Sequence, residues 1–172
     1  MLIIMKDINI RVGNEKYLEE NDSVGLCTLQ KNHLKKISSS NYKFIFKGKR
    51  GILHEKSLKN NHIIFINNII NLPGDSLFKY VINEKNNKQF KKVIADDLNS
   101  FLRDNVDQNM TCKDIRTYCA NEIFKKNYNI LLKTGINIKK AKIGAIKCVA
   151  DELGNTVKVC KDSYINPELY ND

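Results

Sequence analysis

Apolar positions in the first twenty residues, Ile4, Ile8, Val12 and Leu18, recur at near-helical spacing, and Gly13 stands where such a helix ends or bends. The pattern predicts a helix over 1–20. From 24 to 58 it changes to short β-prone pieces, 25–29, 33–37, 42–46 and 52–58, separated by Ser38-Ser39-Ser40-Asn41 and by Gly48-Lys49-Arg50-Gly51. These predict a small antiparallel sheet whose last hairpin holds Lys49 in its turn. Helical periodicity then returns over 60–71, 75–83, 88–104, 111–134, 138–153 and 156–164, punctuated by Pro73-Gly74, Gly135 and Gly154. Asn and Lys enrichment near 83–92 and the polar stretch 104–110 mark exposed connections. The expected fold class is mainly α with a small antiparallel β-sheet, with neither internal repeats nor a long low-complexity linker.

Composition narrows the partner. The 172 residues fit one domain of ordinary size, and 29 Lys+Arg against 19 Asp+Glu leave a formal charge of +10 spread along the whole chain. A polyanionic partner follows, nucleic acid ahead of a membrane surface, although charge alone does not choose between DNA and RNA. A solvated basic surface without a partner is the bland alternative.

Five cysteines, Cys27, Cys112, Cys119, Cys148 and Cys160, form an odd set without C-x-x-C spacing or nearby paired histidines, so neither a disulfide framework nor a zinc site is indicated. The amino terminus lacks the features of a signal peptide, and no run approaches the roughly 18 apolar residues of a membrane span. The expectation is a soluble, intracellular protein.

Three segments hold candidate chemistry. In Thr111-Cys112-Lys113-Asp114-Ile115-Arg116-Thr117-Tyr118, Thr111 and Asp114 make a capping box, which sets Arg116 in the second turn of a helix. A guanidinium on a rigid element gives a forked, permanently charged contact to phosphate, although a helical arginine, like Arg11, is by itself usually a surface residue or an ion-pair partner. Lys49 projects from a tight hairpin, where an ammonium could protonate a leaving alkoxide, or simply be solvated. Near the end, a Gly154-Asn155 turn leads into a short helix that Thr156 can cap, with Tyr164 two turns on. A phenol with a pKa of about 10 is a poor nucleophile unless cations stabilise its phenoxide character. Packing is the plain alternative for Tyr164, and a cap or a left-handed turn residue for Asn155.

Taken in order, Arg11, Lys49, Arg116, Asn155 and Tyr164 resemble the active-site series of the type IB DNA topoisomerases, most closely the small poxvirus and giant-virus enzymes. The likeness extends through the stretch 11–21 around Arg11, through Val24-Gly25-Leu26-Cys27-Thr28-Leu29, through Phe46-Lys47-Gly48-Lys49, and through Lys113-Asp114-Ile115-Arg116-Thr117-Tyr118 with Ile115 substituted. The interval from Asn155 to Tyr164 is the family's interval from its Gly-His-Thr segment to the nucleophile. Asn155 stands where the family usually has histidine, a duty its amide donor can take up. The family also places a clamp domain and several catalytic-domain helices before the first arginine, whereas Arg11 lies almost at the start here.

The resemblance implies the DNA breaking-rejoining catalytic-domain fold over 1–172, shared with tyrosine recombinases. It implies relaxation of supercoiled DNA through a 3′-phosphotyrosyl intermediate on Tyr164, with Lys49 as general acid, Arg11, Arg116 and Asn155 as phosphate stabilisers, and neither ATP nor metal. The partner is double-stranded DNA, contacted by candidates Lys43, Lys47, Arg50, Lys113, Lys125, Lys126, Lys139, Lys140 and Lys142. A monomer is expected, with an amino-terminal clamp segment supplied separately, located in a viral factory or virion or otherwise in a nucleus or nucleoid. A tyrosine recombinase is the rival enzyme, although Lys113-Asp114-Ile115-Arg116 departs from the recombinase His-x-x-Arg. A DNA-binding remnant that no longer cuts is the rival outside enzymology.

Overall fold

The computed structural model describes residues 1–38, 41–84 and 87–170. The chain forms two compact units, Met1–Cys112 and Lys113–Asp172.

The first unit begins with α1 (Leu2–Ile8) and α2 (Glu15–Asn21) in place of the single helix expected over 1–20. Asn9 adopts the left-handed conformation (φ 54°) and ends α1, a conformation that asparagine tolerates better than most residues. Asn14 then starts α2 by accepting the Lys16 amide at 2.8 Å. Between the helices the chain runs extended, and the carbonyls of Arg11 and Val12 accept the amides of Leu26 and Cys27 at 2.8 and 2.7 Å. Ile4, Met5, Ile8 and Ile10 are buried, which keeps both sides of this break in the core.

Residues 25–29, expected as a strand, form a tight 3-10 turn at Leu26–Thr28. The Thr28 hydroxyl accepts the Gly25 amide at 2.9 Å, a local bond that competes with a sheet ladder. The expected sheet follows, with β1 (Leu34–Lys36), β2 (Tyr42–Lys47) and β3 (Leu53–Ser57) antiparallel in that order. Phe44 and Phe46 alternate into the core along β2 at 0% and 4% exposure, the period-2 signal of a half-buried strand. Ser39 and Ser40 of the β1–β2 connection lie outside the described residues. α3 (Asn60–Asn67) follows, shorter than the 60–71 expected.

The helices expected at 75–83 and at the start of 88–104 are instead β4 (Lys79–Glu84) and β5 (Asn87–Lys92), an antiparallel hairpin paired from Lys79 with Lys92 to Glu84 with Asn87. Tyr80, Val81 and Ile82 are β-formers, and a short apolar run does not by itself distinguish strand from helix. The enriched stretch 83–92 is therefore largely strand, and residues 85 and 86 lie outside the described residues. The helical remainder of 88–104 is α4 (Ala95–Asn105). Of the stretch 104–110, expected as an exposed connection, Asp104 and Asn105 still belong to α4, residues 106–109 are exposed and Met110 is half-buried.

The second unit is helical: α5 (Cys112–Lys133), α6 (Ile138–Leu153) and α7 (Val157–Ser163), then a 3-10 turn at Pro167–Leu169. These bounds lie within about a residue of those expected. Along α6, Ala141, Ala145, Ile146, Val149, Ala150 and Leu153 fall on one buried face, and α5 contributes Ala120 and Phe124 to the same core. Burying a side chain such as Leu153 or Val149 contributes about 1.5–3 kcal/mol. Gly154, left-handed at φ 60°, closes α6. With Gly154 donating to Asp151 and Asn155 to Ala150, the end of α6 is a Schellman motif, which fixes the chain direction into α7.

Candidate active site

Within the second unit the path starts at the end of α6. The Schellman motif uses the Asn155 amide, which donates to the Ala150 carbonyl at 2.9 Å, and so sets Asn155 half-buried at the α6–α7 corner. The left-handed residue is Gly154, and the cap of α7 is Thr156, whose hydroxyl accepts the Val159 amide at 3.2 Å. Neither structural alternative for Asn155 therefore holds. α7 runs from this corner for two turns to Tyr164, its C-terminal cap, which is 9% exposed.

Arg116 reaches this corner from α5. Its side chain is buried at 4% exposure, and Nη2 donates to the Leu153 carbonyl at 3.1 Å. Leu153 is the last residue of α6, so the guanidinium satisfies an end-of-helix carbonyl and sits at the negative end of the helix dipole. Its carbon lies 5.6 Å from the centre of the Tyr164 ring, within cation–π range. A buried cation is tolerated only with such partners. Its forked donors match phosphate oxygens. Arg116 thus links the end of α6, two residues before Asn155, to the Tyr164 ring within one unit.

Arg11 and Lys49 belong to the first unit. Arg11 is half-buried in the extended link between α1 and α2. The close approach that holds this link requires glycine: a Cβ on Gly25 would lie 2.5 Å from Gly13 and 2.8 Å from the Arg11 carbonyl oxygen. The Val24 amide in turn donates to the Lys47 carbonyl at 2.9 Å, so the 24–27 segment ties the Arg11 link to the end of β2. Two residues further on, Lys49 is exposed at the tip of the β2–β3 hairpin, in a turn closed by Gly48 donating to Ile52 at 2.8 Å. Arg50 in this turn is left-handed, at φ 65°.

Of the candidate DNA contacts, Lys47, Arg50, Lys113, Lys125, Lys126, Lys139 and Lys140 are exposed. Lys43 is paired with Glu55 at 3.2 Å, and Lys142 donates to the Tyr170 carbonyl at 3.5 Å. The cleft lined by Gly13, Asn14, Cys27, Thr28, Ile94 and Asp96 includes none of the five candidate catalytic residues. All five cysteines are free thiols, and burial pushes the Cys27 thiol up to about 12 and that of Cys112 to about 11, so neither is a thiolate nucleophile near neutral pH. Among the described residues no group of three or more His, Cys, Asp or Glu side chains could hold a metal ion, and no helix is long and apolar enough to cross a membrane.

Sequence reasoning missed two groups at the corner. The Leu153 carbonyl has no signal in a side-chain motif. Asn121, which donates to the Tyr164 carbonyl at 3.0 Å, is an asparagine inside a long helix, and that unfavourable placement is the signal that could have found it.

A mainly helical chain with two small antiparallel sheets, and an arginine set against a tyrosine near a helix corner, fits the DNA breaking-rejoining class of catalytic domain. The family described as "Eukaryotic DNA topoisomerase I, catalytic core" matches residues 1–166. The chain belongs to this family, in its viral-like type IB branch. It is 35% identical over 187 aligned positions to DNA topoisomerase 1B of Acanthamoeba polyphaga mimivirus, covering 99% of this chain and 55% of that protein. It is 33% identical over 166 positions to DNA topoisomerase 1 of Rabbit fibroma virus (strain Kasza), covering 91% and 47%. Against DNA topoisomerase 1B of Vaccinia virus (strain Copenhagen) the identity is 28% over 159 positions, with 91% and 47% covered. The chain spans about half the length of the curated relatives it matches.

Proposed function

We propose that this chain is the catalytic domain of a DNA-relaxing enzyme that cuts one strand through Tyr164 and reseals it. The observation that carries the reading is the buried Arg116 guanidinium 5.6 Å from the Tyr164 ring, in a chain of the topoisomerase I family. The Tyr164 hydroxyl gives its proton to water as its oxygen attacks a backbone phosphorus, the 5′ oxygen leaves, and the DNA 3′ end stays on the enzyme as a phosphotyrosine. Arg116 and Arg11 neutralise the non-bridging oxygens, the Asn155 side-chain amide donates to one of them, and Lys49 protonates the leaving 5′ oxygen. Resealing runs the same steps backwards. The phosphotyrosine conserves the energy of the broken ester, so neither nucleotide nor metal is required.

The substrate in this reading is double-stranded DNA, contacted by exposed cations of each unit, Lys47 and Arg50 in the first and Lys113, Lys139 and Lys140 in the second. The enzyme acts as a monomer together with an amino-terminal clamp segment.

The test is covalent trapping on a suicide duplex labelled on the strand to be cut. A denaturant-stable adduct at the DNA 3′ end, lost in Tyr164→Phe, is the expected result, followed by relaxation of plasmid DNA. Folded protein that binds the duplex and gives no adduct overturns the reading.

A further inference from the structure

The helix that bears Tyr164 ends without the glycine that closes α6. Tyr164 is the cap itself, at φ −132° and ψ −30°, and the amides of Tyr164 and Ile165 both donate to the Cys160 carbonyl at 3.1 and 3.0 Å. A helix end of this kind leaves carbonyls that need other donors. Two side chains supply them. Asn121 Nδ2 donates to the Tyr164 carbonyl at 3.0 Å, and the Tyr170 hydroxyl donates to the Lys161 carbonyl at 3.2 Å.

Asn121 is engaged on every side. Nδ2 also donates to the Thr117 carbonyl in its own helix at 2.7 Å, and Oδ1 accepts the Asn166 amide at 2.8 Å. Two carbonyls and one amide admit only one orientation of the side chain. Asn121 lies five residues after Arg116 on α5, so one rigid helix holds Tyr164 twice, at the ring through Arg116 and at the backbone through Asn121. Tyr170 closes the other side. Its ring lies 4.9 Å from Lys161 Nζ, and with Leu169 it packs against the core formed by α5, α6 and α7. Residues 161–170 thereby form a closed loop around Tyr164.

We infer that Asn121 and Tyr170 are positioning residues for Tyr164, capping the end of α7 so that the phenol is presented in one place against Arg116. They act through the backbone of the tyrosine and not on DNA. The inference rests on the reading of Tyr164 as nucleophile. In-line attack makes position decisive, since a displacement of about 1 Å can slow a reaction about 100-fold.

The experiment uses the full chain with Asn121→Ala, Asn121→Asp and Tyr170→Phe. Amide hydrogen exchange is read at Asn166, with Phe124 and Val149 as core controls, beside duplex affinity and the single-turnover rates of cleavage and religation. In Asn121→Ala, exchange at Asn166 should quicken about tenfold or more while the core controls hold. Cleavage and religation should both slow at least about tenfold with duplex affinity unchanged within about twofold. Asn121→Asp separates the two contacts, because a carboxylate accepts the Asn166 amide but cannot donate to the Tyr164 carbonyl. It should keep the slow exchange and still lose the rate. Tyr170→Phe, which removes one hydroxyl, should slow cleavage several-fold with the core intact.

Unchanged Asn166 exchange in Asn121→Ala overturns the inference whatever the activity. So does wild-type cleavage in both Asn121→Ala and Tyr170→Phe. A wild-type chain that forms no adduct while exchange follows the expected pattern overturns the strand-cutting reading and leaves the clamp on α7 standing.

Discussion

Arg116 and Tyr164 meet at the end of α6: the guanidinium lies 5.6 Å from the ring centre and gives one N–H to the Leu153 carbonyl at 3.1 Å. One side chain thus serves both the helix end and the tyrosine, and the two uses separate by substitution. Arg116→Lys keeps the charge but provides a single point donor in place of a fork. It should slow covalent adduct formation about 100-fold, the scale of losing one transition-state donor, with little change in duplex affinity. Arg116→Ala should in addition destabilise the fold by about 1–3 kcal/mol, because the buried Leu153 carbonyl loses its donor. Single-turnover trapping and urea unfolding read the two effects. Equal adduct rates for Arg116→Lys and wild type would remove Arg116 from the chemistry.

Gly25 sets the place of Arg11. A Cβ at Gly25 collides with backbone atoms, which cannot rotate away as a side chain can. Gly25→Ala should destabilise the protein by about 2–3 kcal/mol and shift the Arg11 link. Gly51→Ala is the contrast. Nothing lies within 4 Å of a Cβ there, but φ is +70°, so only the backbone strain remains, about 1 kcal/mol. Chemical denaturation of both variants checks the order, and equal losses would contradict the steric account.

Asp7 joins α1 to the start of α3, pairing with Lys59 Nζ at 3.0 Å and His62 Nε2 at 2.9 Å. Burial alone pushes its carboxyl up, but the hydrogen bonds and charges of Lys59 and His62 together outweigh this and hold it below the ordinary carboxylate range. A depressed folded pKa means stability that is present above the unfolded pKa, roughly 3.9, and lost as pH falls through the folded value. Asp7→Asn should therefore be less stable than wild type at neutral pH by on the order of 1 kcal/mol. The difference should shrink below about pH 4. A gap that stays constant to low pH would show that charge is not its source. Urea unfolding at a series of pH values makes the comparison.

How much of this was legible in the sequence differs by element. The bounds of α5 and α6 could be read closely, because a long apolar face repeats at the helical period and Gly135 and Gly154 end it in left-handed conformations. The β4–β5 hairpin was not. Tyr80-Val81-Ile82 is too short for a period, and no glycine marks the turn. The split of the first helix depends on Asn9, whose left-handed backbone no pattern of apolar residues announces. Arg11, Lys49, Arg116, Asn155 and Tyr164 came from likeness to a family, since taken singly each has an ordinary structural reading. Asn121 offered only its unusual place inside a long helix, because its partner at Tyr164 is 43 residues away in the chain.

Arg50 offers a substitution in which stability and binding should move in opposite directions. It sits at φ 65° in the hairpin tip beside Lys49, exposed, in a conformation that disfavours a long side chain and suits asparagine. Arg50→Asn should stabilise the protein by about 0.5–1 kcal/mol through relief of backbone strain. The lost cation should weaken duplex binding and lower the slope of log affinity against log salt by about one. Urea unfolding and salt-dependent binding test the two halves separately. If stability rises while the salt slope stays as in wild type, the hairpin tip does not touch the phosphate backbone, and Lys49, its neighbour in the same turn, loses its support as the proton donor to the leaving oxygen.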